Sequence, residues 1–232
     1  MHSLKPILLG LAMTMPLFSF GQFSFGLSVG ASNYQGDIAK DLTNLNETHA
    51  AFAASVGYRL NRYFDVKGQI LLTKLTGDDA NYEERRHRGF RFRTNILELA
   101  GILEYYTLGS AVRSRTGVFV PHVTPVFFMG LGIAKLDNLA ECYSEDCKNG
   151  VVLNPFPEPD YKSVLFNVPF GIGLKYDVSP LLAVGLRGGY RYTFSDYLDG
   201  ISAAANRDKN DWYFFLGANV TFYLGEKKKE VL

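Results

Sequence analysis

The chain has 232 residues, 47% of them hydrophobic and 14% aromatic, with 23 glycines and 24 basic against 23 acidic side chains. The near-balance of charge gives no support for nucleic-acid binding, and no internal apolar run reaches the roughly 18 residues of a membrane-spanning helix. A mean hydropathy near zero with many aromatics and glycines suits a transmembrane β-barrel, whose lipid and lumen faces average out; a soluble β-sandwich shares that composition.

The first segment decides the compartment. A short basic start at residues 1–5 precedes an apolar stretch from Ile7 to Phe20, and Ser19-Phe20-Gly21 offers small residues at the usual cleavage offsets. Residues 1–21 read as a secretory signal peptide. They carry one of the 24 basic residues and none of the acidic ones, so the mature chain is formally neutral. No cysteine follows Gly21-Gln22, so a lipoprotein anchor is not indicated.

From residue 23 the pattern alternates. In 23–32, Phe23, Phe25, Leu27 and Val29 oppose Ser24, Gly26, Ser28 and Gly30. Successive side chains of a strand face opposite ways, so this is a strand with one greasy face. A long polar connection follows. Residues 50–60 alternate again, with Phe52, Ala54, Val56 and Tyr58 outward. Asn61 marks a tight turn, and 62–75 sets Phe64, Val66, Gly68, Ile70 and Leu72 against Asp65, Lys67, Gln69 and Thr73. A charged loop, GDDANYEERRHRG, leads to a fourth strand at 90–106, with Leu97, Leu99, Gly101, Leu103 and Tyr105 on one face and Glu98 and Glu104 on the other.

After a moderate connection (107–117) comes a fifth strand at 119–135, with Val123, Phe127, Met129, Leu131 and Ile133 outward. The longest connection, 136–162, holds Cys142 and Cys147 in CYSEDC. In an exported protein that pair is most simply a disulfide closing a small loop. A sixth strand at 163–178 turns Phe166, Val168, Phe170, Ile172, Leu174 and Tyr176 outward, and Ser179-Pro180 is a tight turn. The final pair carries the clearest signal. Leu182, Val184, Leu186, Gly188, Tyr190, Tyr192 and Phe194 oppose Ala183, Gly185, Arg187, Gly189, Arg191 and Thr193. After the polar segment 195–210, Trp212, Phe214, Leu216, Ala218, Val220 and Phe222 form a wholly apolar set. Ten steps at ~3.3 Å, tilted by ~40°, span roughly 25 Å, the height of an outer-membrane apolar band.

Connections alternate long, short, long, short, long, short, long. Short turns facing the periplasm and long loops facing outside are the pattern of an up-and-down barrel. The expected fold is therefore all-β: an eight-stranded antiparallel transmembrane β-barrel with a filled lumen, spanning 22–225 after the signal peptide and followed by a periplasmic tail at 226–232. Pro121, Pro125 and Pro169 strain the fifth and sixth strands, because proline cannot donate to the ladder and a closed barrel has no free edge. Bulges, or strands that start later, are expected there.

The charged residues of the inward face are Arg59, Asp65, Lys67, Glu98, Glu104, Lys175, Arg187 and Arg191. Eight strands leave a lumen just wide enough for side chains to fill, and buried charges must pair. The expectation is an interior ion-pair network. A proton path or catalytic cluster is the sharper alternative, with no feature distinguishing it. His49 and His87 lie in or beside outer loops, and His122-Val123-Thr124 lacks the serine of a nucleophilic pair, so no catalytic residue, cofactor or metal ligand is assigned. Gly130-Leu131-Gly132 and Gly171-Ile172-Gly173 precede no helix and are not phosphate loops; relief of crowding inside the barrel is the simpler role. Arg85, Arg86 and Arg88 in the charged loop offer contacts to lipopolysaccharide phosphates, against an ordinary exposed loop.

SVGASNYQGDI (28–38), FRTNILELAGILEY (92–105), GYRYTFSDYLDGIS (189–202) and NDWYFFLGANVTF (210–222) resemble the PorG-like outer-membrane barrels of the Bacteroidota, associated with the type IX secretion system. The most specific elements are Gly30-Ala31-Ser32-Asn33-Tyr34 with Gly36-Asp37, and Tyr190-Arg191-Tyr192-Thr193 with Ser195-Asp196-Tyr197-Leu198-Asp199. The resemblance implies an integral outer-membrane protein, embedded among outer-membrane lipids, that touches the periplasmic ring built from the PorK lipoprotein and PorN and helps anchor or assemble it. It implies no catalytic residues and no small-molecule substrate. Candidate partner contacts are Asn61 and Arg62, Arg113 and Arg115, Ser179 and Pro180, and Lys227, Lys228 and Lys229. Other readings are a structural or adhesive barrel acting through its outer loops, a lipid A-modifying enzyme, and a small diffusion pore.

Overall fold

The computed structural model describes residues 23–35, 47–83, 89–109, 119–142, 163–194, 198 and 211–224. These form eight strands: β1 (Phe23–Gln35), β2 (His49–Arg59), β3 (Phe64–Asp78), β4 (Phe90–Tyr106), β5 (His122–Cys142), β6 (Val164–Ser179), β7 (Leu182–Thr193) and β8 (Trp212–Tyr223). Each pairs antiparallel with its sequence neighbours, and β1 pairs with β8, so the sheet closes. Closure satisfies the backbone hydrogen bonds that a bilayer cannot.

The period-2 pattern places the faces. Phe25, Leu27, Val29, Phe52, Val56, Ile70, Leu99, Phe127, Ile172, Leu186, Leu216 and Phe222 are exposed outside, while their alternates are turned in. Tyr190, Tyr192, Trp212 and Phe214 form a packed aromatic group on β7 and β8, with ring centroids 4.6–6.2 Å apart. The short turns at 60–63 and 180–181 mark the inner, periplasmic end.

The strand limits differ from those read in the sequence. The third strand starts at Phe64 and runs to Asp78 rather than covering 62–75. The fifth starts at His122 rather than 119 and ends at Cys142 rather than 135, so residues 136–142 belong to strand and not to connection. β5 has 21 residues and β7 has 12. Nine residues of β5 follow Ile133, lifting that wall roughly 20 Å above the apolar band at ~2.5 Å per tilted residue.

The prolines are handled without bulges. Pro121 precedes β5. The Pro125 carbonyl accepts from the Thr107 N–H at 3.2 Å. Its imide nitrogen therefore faces the same side, just beyond the end of β4, where no ladder bond is needed. At Pro169 the β5–β6 register stays constant, but pairing skips from Met129↔Phe170 to Gly132↔Asn167. Gly130 and Leu131 thus lie unpaired against Val168 and Pro169. The β6–β7 register shifts between Asp177 and Ser179 instead.

Two glycines are required by close approach. A Cβ on Gly30 would collide with the Leu216 carbonyl, and one on Gly130 with that of Gly101. Each lets neighbouring strands draw together on the crowded inner face.

Candidate functional site

The lumen has three storeys. Nearest the inner end, β2, β3, β4, β6 and β7 each contribute a charge. Lys67 Nζ lies 2.9 Å from Glu104 Oε2, and Arg187 pairs with the other Glu104 oxygen. The Tyr106 hydroxyl sits 2.6 Å from Glu104 and 2.9 Å from Asp65 Oδ2. Arg59 Nε is 3.5 Å from Asp65 and its guanidinium lies 4.6 Å from the centre of the Tyr223 ring. Lys175 Nζ bonds Asp177 at 3.0 Å and packs over Tyr106 at 4.6 Å. His122 closes this storey, 3.8 Å from Asp177 and 3.2 Å from the Gly109 carbonyl. Removing such charges from water is costly unless each finds an opposite charge and hydrogen bonds.

The middle storey centres on Glu98. Arg191, only 2% exposed, places Nε 3.5 Å from Glu98 Oε2. Asn167 Nδ2 donates to the same oxygen at 3.0 Å, and the Tyr213 hydroxyl makes a short bond to it. The Arg191 guanidinium also lies 5.0 Å from the centre of the Phe215 ring.

The outer storey is apolar. Tyr34, Leu75, Phe92, Leu136, Leu165 and Phe215 pack together, with Tyr34 edge-on to Phe92 at 4.8 Å. Leu198, from the β7–β8 connection, is fully buried among them. Its carbonyl accepts from Thr94 Oγ1 at 2.8 Å and its N–H donates to Asp211 Oδ2 at 3.2 Å. Above, buried Glu47 accepts from the Asp78 N–H, Asn81 Nδ2 and the Tyr82 hydroxyl at 2.9–3.1 Å.

All eight charged residues read as inward from the sequence point into the lumen. Six of them and Asp177 gather at the inner end, while Glu98 and Arg191 meet halfway. Sequence reasoning missed Asp177, Tyr106, Asn167 and Tyr213. Asp177 shares parity with Lys175, two residues before it, and that spacing signals it. The remaining three carry no charge and have no such signal.

Of the candidate partner contacts, Asn61 and Arg62 are exposed in the β2–β3 turn. Asn61 Oδ1 accepts from the Tyr63 and Phe64 N–H groups at 2.8 and 3.0 Å. Ser179 Oγ accepts from the Leu181 N–H at 3.2 Å. His49 faces inward at the outer end of β2, with Nε2 2.6 Å from Thr76 Oγ1. Arg85, Arg86, His87, Arg88, Arg113, Arg115, Cys147, Lys227, Lys228, Lys229 and the signal-peptide segment lie outside the described residues. Cys142 is the last residue of β5. Among the described residues no group of His, Cys, Asp and Glu is placed to hold a metal ion.

A closed barrel with a greasy outside and a filled, charge-paired inside is an outer-membrane β-barrel. The chain belongs to the family described as "Domain of unknown function (DUF6089)", whose match covers residues 6–229. No curated protein matches it. Among solved structures it is similar to the attachment invasion locus protein Ail of Yersinia pestis, at 14% identity and a TM-score of 0.41, covering 87% of this chain and 99% of that one. Neisserial surface protein A gives 15% identity and 0.41, covering 88% and 97%. A major outer membrane protein from Thermus thermophilus gives 14% and 0.43, covering 87% and 99%.

Proposed function

We propose that the protein is a non-enzymatic, rigid outer-membrane barrel that serves the type IX secretion system, holding the periplasmic PorK/PorN ring against the inner leaflet. The observation that carries the reading is the inner storey, where Glu104 with Lys67 and Arg187, and Asp177 with Lys175, tie four strands together across the lumen. A barrel filled in this way transports nothing through itself and works through its rims. The network expected among Arg59, Asp65, Lys67, Glu98, Glu104, Lys175, Arg187 and Arg191 is, in this reading, a brace that fixes the exposed β2–β3 turn at Asn61 and Arg62. The PorG-like motifs supply the partner. Cys142 and Cys147 form a disulfide in the same reading.

Affinity purification of the tagged protein from outer membranes in mild detergent, with mass spectrometry of what co-elutes, tests this. Recovery of the ring lipoprotein and its partner supports the role. Recovery of the barrel alone, with normal secretion of type IX cargo in a deletion strain, overturns it. A second reading, a structural or adhesive barrel acting outside, is favoured by the tall outer wall of β3–β5. In that case loop deletions abolish function and deletion of the tail does not.

A further inference from the structure

The break in the β5–β6 ladder is local. Gly130 and Leu131 keep their pairing with β4, and Val168 and Pro169 keep theirs with β7. Only the seam between them is open. Proline accounts for it, since Pro169 has no N–H to give.

Against this seam lies a groove of about 550 Å³ on the lipid face, lined by Leu99, Leu131, Ile133, Phe166 and Phe194 together with Gly132 and Asn167. Leu131 and Phe166 stand out from the wall, 75% and 73% exposed. Gly132 and Asn167 differ from the others in parity: both face the lumen. The wall is thus thin here, and the groove reaches backbone and side chain belonging to the inner face.

Asn167 is 1% exposed. Its amide orientation is fixed, because Nδ2 must face the Glu98 carboxylate and Tyr213 hydroxyl at 3.0 and 3.2 Å. Oδ1 is then turned to Gly132, where an added Cβ would collide with it. That oxygen is buried with no hydrogen-bond partner, a costly condition for an amide acceptor. What it can take is a donor, and the apolar groove admits a donor carried on an apolar chain.

One row further out, Lys135 follows Ile133 on the same outward face and is exposed, between Leu97 and Val164. Lys74, Arg93 and Arg91 rise on the neighbouring strands, interspersed with Asp78, Asp137 and Glu141. Arg91 is held by Asp78 at 2.7 Å, and Asp137 accepts from Asn95 at 3.3 Å. Lys135 therefore stands at the outer mouth of the groove as its nearest cation.

We infer that the β5–β6 seam is a binding site for one outer-leaflet glycolipid of lipid A type, with a hydroxylated acyl chain in the groove, its hydroxyl donating to Asn167 Oδ1, and a phosphate at Lys135. A second lipid-face groove of about 500 Å³ is lined by Leu27, Val29, Phe52, Ile70, Leu72 and Val220 among others. Its ladders are continuous and its lining holds no buried orphan acceptor. It serves as the internal control.

The test is native mass spectrometry of the full-length protein in detergent. The probes are bis-phosphorylated lipid A with 3-hydroxyacyl chains, the same glycolipid with unhydroxylated chains, and phosphatidylglycerol. The expected result is one retained hydroxylated lipid A, with roughly 3- to 10-fold weaker retention of the unhydroxylated form, the value of one hydrogen bond. Phosphatidylglycerol is retained more weakly still. Ile133→Trp, which fills the groove, and Lys135→Gln reduce retention, while Ala54→Trp in the control groove does not. Equal retention of the three lipids by the unaltered protein overturns the inference, and this comparison needs no variant to fold. Unchanged retention by Ile133→Trp, in protein that still shows the heat-modifiable migration of a folded barrel, overturns it too.

Discussion

The Tyr34 hydroxyl donates a 2.6 Å hydrogen bond to Asp211 Oδ1 at the seam where β1 closes on β8. The other Asp211 oxygen accepts from the Leu198 N–H, and the Asp211 carbonyl accepts from the Thr193 N–H and hydroxyl at 3.2 and 2.8 Å. One residue thus fastens the barrel closure, the end of β7 and a loop residue that fills the outer mouth.

Tyr34→Phe removes that donor while keeping the ring against Phe92. A buried carboxylate oxygen left short of a partner costs about 1–3 kcal/mol. The urea midpoint for unfolding from lipid vesicles is expected to fall accordingly, and an unchanged midpoint would assign the closure to the ladder bonds alone.

Glu104 is the carboxylate that sits between Lys67 and Arg187 and pairs with both. Glu104→Gln leaves two buried cations facing each other, with an expected loss of about 3–5 kcal/mol. A triple variant, Lys67→Met with Glu104→Leu and Arg187→Met, is expected to recover most of it, since apolar replacement of a whole buried cluster is often neutral. Urea midpoints of the single and triple variants, compared in one lipid, decide the matter.

A lumen filled from Tyr223 to Leu198 gives no ion a path. In planar bilayers the unaltered protein is expected to show no steady conductance, and ohmic steps that scale with salt would show an open interior.

The position of the bilayer is set by the exposed apolar residues, and substitution can map it. Ile70→Arg lies within the band and is expected to cost about 2–4 kcal/mol. Leu139→Arg, on the same outward parity of β5 but above the band, is expected to change stability by no more than about 0.5 kcal/mol. Equal losses at both positions would mean that the membrane reaches higher on β5 than its apolar residues do.

The inner two-thirds of this barrel is legible in sequence because lipid imposes a strict rule. Phe127, Met129, Leu131 and Ile133 must be apolar, and their alternates need not be. Above the membrane the rule lapses. In 136–142, Asp137, Leu139 and Glu141 face out while Leu136, Asn138 and Ala140 face in; both faces are mixed, and the stretch reads as a loop. The charged lumen residues are legible for the same reason as the band, by parity. Contacts such as Leu198 with Thr94, 104 residues apart, leave no local trace, and neither does the role of an uncharged residue such as Asn167 beside Glu98.

The unequal strands have a consequence for how the molecule meets its surroundings. With 21 residues in β5 and 12 in β7, the outer rim slopes from a parapet to a sill. A molecule drifting across the cell surface is turned aside on the β3–β5 flank, yet it can pass over the β7–β8 flank almost level with the lipid. The barrel therefore has a front and a back in the plane of the membrane, and neighbours that crowd against it will sort by height before any side chain is recognised.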